Sequence, residues 1–169
     1  MALTRVVGKC GLCHREMVDG QQAFMTSGEF LPRTDPLRPL CGQPLHWECY
    51  AAWPERGRFA RAYVQAWQRA NARNPFWWTV LSDDCAYVAV NPQSGIEEAS
   101  LRLLSVGSDI RVPLPRWAEW LADPARITPH LHPFEAQALA AALPGLRSRF
   151  PDALTLVDAI DPREKRSGA

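Results

Sequence analysis

Lysine is nearly missing from this chain: it occurs only at positions 9 and 165, and every other basic residue is arginine. A GC-rich genome has this bias, and the same bias favours Ala, Pro, Gly and Trp codons, so a bacterial source is the expectation. An excess of positive over negative charge is also missing. A formal net charge of +1 gives no broad electrostatic footprint for nucleic acid, which asks for a strongly basic balance. No apolar run approaches the roughly 20 residues that cross a bilayer. Nor is there a continuous apolar stretch before the first cysteine, so a signal peptide is not expected. A reducing, cytoplasmic setting without membrane contact follows as the expectation. There is no Gly-rich phosphate loop and no G-x-S-x-G, so an enzyme with its own active site is not indicated. Internal repeats and low-complexity tracts are absent too.

What is present is enough for a folded core: 169 residues, 47% of them hydrophobic, sized for one mid-sized domain or two small ones. The five cysteines, Cys10, Cys13, Cys41, Cys49 and Cys85, are odd in number and lack a secretory signal. A metal site is therefore expected rather than a disulfide framework.

Along the chain, the first 45 residues are rich in turn formers. "VDGQQ" and "LPRTDPLRPLCGQP" exclude a long helix, because proline lacks the N–H and fixes φ. "QAFMTSGEFL" between them reads as a short hairpin about Ser27-Gly28. Such a segment has little core of its own and needs a staple, for which a metal is well suited. "HWECYAAW" then reads as a short helix, and Pro54 fits the first turn of a second helix through Arg73. Phe59, Tyr63, Val64 and Trp67 make its apolar face, while Arg58, Arg61, Gln65, Gln68 and Arg69 read as a solvated face.

After "NARNP" the period falls to two. "FWWTVLS" and "CAYVAVN" form one expected hairpin about Asp83-Asp84, and "ASLRLLS" and "DIRVPL" a second. Cys85, placed in a strand, reads as a buried thiol. Of the neighbours Trp77 and Trp78, one is expected in the core and the other at the surface. "PRWAEWL" reads as a short helix with Trp117 and Trp120 in the core. A helix starts near Pro133 and stops at Pro144-Gly145, and a last short one lies within "RSRFPDALTLVDAI". His130-x-His132 reads as a turn. The expected class is α+β: a zinc unit with its following helix over 1–73, an α+β recognition part over 74–161, and a disordered tail over 162–169.

Cys10-x2-Cys13 and His46-x2-Cys49 are two ligand pairs at the spacing of a tetrahedral zinc. A two-residue gap lets both side chains of a pair reach one ion. Gly11 permits close backbone approach in the first pair. The second pair falls on the first turn of a helix, where the dipole favours thiolate. Four protein ligands leave no open position, so one structural zinc is expected. His14 reads as solvated or as an outer neighbour of the site.

With these motifs, residues 8 to 55 resemble a RING finger, the zinc module of ubiquitin ligases. "CGLC" is similar to that family's first pair, with Leu12 just before the second cysteine. "CGQPLHWECYAAW" is similar to its middle block: Cys41 falls at the third ligand position, His46 at the fifth, Cys49 at the sixth. Trp53 falls where many RING fingers carry a partner-contacting Trp. The departures are Gln43 at the fourth ligand position and the lack of a final Cys-x2-Cys. They imply one zinc, an unliganded Cys41, and no late basic residue to contact ubiquitin. Half of a LIM domain, or another treble-clef finger, shares the two pairs but not Cys41 or Trp53.

The resemblance implies docking of a ubiquitin-conjugating-like enzyme, charged with a ubiquitin-like protein, on Leu12, Trp53, Pro44 and Pro54. It implies no covalent catalytic residue in this chain. Two other functions stay open on the residues alone. One is a zinc-stapled structural or protein-interaction protein, with Leu12 and Trp53 packed inside. The other, less expected, is a zinc module binding nucleic acid through Arg56, Arg58 and Arg61.

Overall fold

A computed structural model describes residues 8–18, 20–93, 95 and 97–160. The expected tail at 162–169 lies outside the described residues. The chain is α+β, with a two-stranded and a four-stranded antiparallel sheet.

In the first part, β1 (Ala23–Phe24) pairs with β2 (Leu45–His46), Ala23 opposite His46 and Phe24 opposite Leu45. Helix α1 (Trp47–Ala52) follows directly, and then α2 (Arg56–Asn71). The hairpin expected about Ser27-Gly28 does not form. Gly28 does turn, at φ 68°, but Phe24 pairs across the long loop instead. The reason is burial: Phe24 stacks on Tyr50 at 3.8 Å between ring centres and meets Trp47 edge-on at 5.4 Å. Those aromatic contacts are not available to a local hairpin.

The two hairpins expected further on are present, and they join into one sheet. Strands β3 (Trp78–Ser82), β4 (Ala86–Asn91), β5 (Glu98–Leu103) and β6 (Asp109–Pro113) lie side by side in chain order. Cross-strand register sorts the side chains. Val88 faces Leu101 and Leu101 faces Ile110, while Ala99 sits between Val90 and Val112. These apolar residues make the face that packs on the C-terminal helices. The alternate residues, Tyr87, Ala89, Ser100 and Arg102, belong to the other face, towards α2, whose Val64 joins Tyr87 and Ala89 in a small apolar cluster. Trp77 and Trp78 are both half-buried, rather than one in and one out. Cys85 is exposed, not buried. It sits in the β3–β4 turn, where its N–H donates to Asp83 Oδ1, and β4 begins only at Ala86.

Helices α3 (Trp117–Ala122), α4 (Pro124–Ile127), α5 (Pro133–Arg149) and α6 (Ala153–Asp158) close the fold. Trp117 and Trp120 are fully buried, as expected, and Trp117 Nε1 donates to the Phe150 carbonyl at 2.8 Å. Helix α5 does not stop at Pro144-Gly145; it runs on to Arg149 with Pro144 inside. Proline removes one backbone donor there. Buried Leu143, Leu146 and Phe150, and Arg147 donating through Nε and Nη2 to the Leu121 carbonyl, hold the turn beyond it. One apolar cluster includes Cys10, Phe24, Leu45 and Tyr50 of the first part together with Leu101, Trp117, Leu146 and Leu156 of the second. Among the described residues no helix is long and apolar enough to cross a membrane.

Candidate metal centre

Cys10 and Cys13 flank a tight turn closed by the His14 N–H on the Cys10 carbonyl at 2.8 Å. Gly11 is required by packing: a Cβ there meets Leu40, Gln43 and Leu45 side chains at 3.1 Å each. Its N–H donates to the Pro44 carbonyl at 3.0 Å, which holds the first ligand turn against the loop entering β2. His46 ends β2 and Cys49 lies in the first turn of α1. The long-range pairing of β1 with β2 thus brings the two halves of the site together.

The ligand atoms of Cys10, Cys13, His46 and Cys49 all lie within 4.8 Å of one another. His46 Nδ1 is 3.3 Å from Cys13 Sγ and 3.9 Å from Cys49 Sγ. A tetrahedral zinc with bonds of about 2.3 Å to sulfur and 2.0 Å to nitrogen separates its ligands by roughly 3.5–3.8 Å. The four side chains could therefore hold one metal ion, with His46 presenting Nδ1 to the sulfurs. Three sulfurs and an imidazole would fill a tetrahedral coordination shell and leave it no open position for a substrate. Cys41 and His14 stay outside this group. Cys41 is half-buried, and His14 is exposed with φ 59°.

The sulfurs are not equivalent. Cys10 is fully buried, and its Sγ accepts the His46 N–H at 3.4 Å. Cys13 is half-buried, and Arg15 Nε donates to its Sγ at 3.5 Å. The Arg15 guanidinium, helped by the Arg15 backbone, holds the Cys13 thiol down to about 5. Burial pushes Cys49 the other way, with the thiols of Cys13 and Cys10 adding to the rise. Arg15 was not singled out from the sequence; its one signal there is its place two residues after a ligand. A cavity of about 220 Å³, lined by Arg15, Glu16, Val18, Gln21, His46 and Glu48, opens beside this corner.

The residues expected to dock a partner are dispersed in exposure. Leu12 and Pro44 are half-buried, and Leu12 packs on the main apolar cluster. Trp53 ends α1 half-buried, edge-on to Phe59 at 5.3 Å and tilted against Tyr50 at 6.4 Å. Pro54 is exposed. Of the arginines, Arg58 pairs with Asp35, and Arg56 donates to the Ala51 carbonyl and lies over the Phe134 ring. Comparison with protein-family models, curated proteins and solved structures gives no match.

Proposed function

We propose that this chain is a zinc-stapled, RING-like docking module that receives a ubiquitin-conjugating-like enzyme, charged with a ubiquitin-like protein, in a bacterial pathway of that kind. Zinc suits the donor set, because thiolate and imidazole ligands in a tetrahedron select it over harder cations. Its role is positional: it fixes the turn that carries Leu12 and the helix that ends at Trp53. The observation that supports docking is exposure: Leu12 and Trp53 are each partly exposed, and Pro54, next to Trp53 in the chain, is exposed. A side chain anchored along one edge and open along the other offers contact area at low entropic cost, and Trp is enriched among interface hot spots. The enzyme's thioester, held in a reactive arrangement, reacts faster through positioning alone.

Metal analysis of the purified chain is expected to give one zinc per molecule. A conjugating-type enzyme from the same genome is expected to co-elute with it. Leu12→Ala and Trp53→Ala should weaken that co-elution while the zinc content is unchanged. If no conjugating-type enzyme binds the zinc-loaded wild type, docking of this partner is lost.

A second function, a zinc staple in a structural or interaction protein, is favoured by a different observation. The apolar cluster runs without a break from Cys10 to Leu156, so the metal site serves the core of the whole chain. That role predicts the same zinc and no partner of the conjugating type.

A further inference from the structure

The charge of the metal site points to a further residue. Three thiolates and a neutral imidazole around a divalent ion leave one surplus negative charge. At a partly buried site such a charge is costly unless a cation or hydrogen-bond donors meet it. Cys10 is met by the His46 backbone N–H. Cys13 is met by Arg15. Lys9, the other nearby cation in sequence, is turned to Glu16 at 3.5 Å. Arg15 Nε is aimed at the Cys13 sulfur. A cavity lined by Arg15 and His46 lies open to solvent here, whereas Cys10 is fully buried.

We infer that Arg15 is the outer cation of the metal site: its guanidinium compensates the surplus thiolate charge at Cys13, and so sets how tightly the site retains zinc and how slowly its open sulfurs react with electrophiles. The inference rests on the metal reading of the four ligands and goes beyond it. Arg15 is a positioning residue, acting through the Cys13 sulfur rather than on the ion. A guanidinium suits this place, because it stays charged and donates in a fixed fork. The donated N–H lowers the energy of the sulfur lone pairs and competes with their attack on an electrophile.

The test uses the full chain, loaded with zinc or with cobalt, as wild type and as Arg15→Ala, Arg15→Gln and Arg15→Lys. Arg61→Ala, an exposed arginine on α2, is the control. Competition with a chromogenic chelator should show zinc bound about 10- to 100-fold more weakly in Arg15→Ala and Arg15→Gln, with Arg15→Lys in between. The sulfur-to-cobalt charge-transfer band should move to lower energy in the same order. Alkylation of Cys13 by N-ethylmaleimide, followed by mass spectrometry, should become faster. Arg61→Ala should match wild type in all three. Zinc affinity within about twofold of wild type, with an unmoved band, overturns the role of Arg15 while the metal site stands. A wild-type chain that takes up neither ion, or gives no thiolate charge-transfer band with cobalt, overturns the metal site itself and Arg15's role with it.

Discussion

The Tyr50 hydroxyl donates to the Val106 carbonyl at 2.7 Å, both groups buried. Tyr50 follows Cys49 of the candidate metal centre in α1, and Val106 lies in the turn between β5 and β6. This bond ties the metal unit to the four-stranded sheet. A second tie leaves from the same helix, where Trp47 stacks on His132, the N-cap of α5, at 4.7 Å.

Tyr50→Phe keeps the ring stack on Phe24 and removes the donor. The Val106 carbonyl is then left without that bond, which should cost about 1–3 kcal/mol in urea unfolding. The bond also has a pH signature. Burial pushes the Tyr50 pKa up, so the folded state holds the phenol proton more tightly than the unfolded chain does. Its contribution is therefore complete below the unfolded value of about 10 and falls as pH rises above it. The stability of Tyr50→Phe should fall less steeply above that pH than the stability of the wild type.

Removing the metal should loosen both ties, since Cys49 and His46 anchor α1 and β2. An ion present at about 1,000 times its dissociation constant contributes about 4 kcal/mol, if it binds only the folded chain. For a chain of this length that corresponds to a fall in melting temperature of roughly 8–16 °C on chelation. Thermal unfolding with and without chelator measures it. Equal melting temperatures would show that the fold does not depend on the ion.

Gly107, next to Val106, is a second point where the β5–β6 turn meets the first part of the chain. Its φ is 78°, and a Cβ there lies 3.4 Å from the Ala60 Cα and 3.5 Å from the Phe24 ring. Gly107→Ala meets a left-handed backbone penalty of about 1–2 kcal/mol before any packing cost. A chemical-denaturation curve shifted by less than that would mean the turn can relax.

Arg102 is 1% exposed on β5, paired with Asp109 at 3.0 Å and stacked over Trp67 at 4.0 Å, and its Nε and Nη1 have no hydrogen-bond partner. Asp109→Ala leaves a buried cation without its counter-charge and should cost about 3–5 kcal/mol. The double change Arg102→Met with Asp109→Ala should recover much of that loss, because it removes the charge along with the partner. A double-mutant cycle in urea gives the coupling; a double variant no more stable than Asp109→Ala contradicts it.

The residues that carry local chemistry were legible from the chain alone. Two ligand pairs at two-residue gaps, the apolar face of α2, the period-two strands around Asp83 and the α5 start at Pro133 all depend on neighbours close in sequence. Where the structure departs from what local sequence predicts, distant partners are the main cause. Phe24 leaves its local hairpin because Tyr50 and Trp47 bury it. Pro144 stays inside α5 because Leu146, Phe150 and the Arg147–Leu121 bonds hold the next turn. Cys85 is the exception, with a local cause: Asp83 caps the turn with its side chain and β4 starts only at Ala86. Spacing determined which four side chains can meet around an ion. Tertiary packing decided that β1 crosses to β2 to bring them together, that Arg15 faces Cys13, and that Trp53 is neither inside nor free. A ligand pair is set by a few bond rotations, but the meeting of two pairs, the direction of a guanidinium and the exposure of a ring are set by everything packed around them.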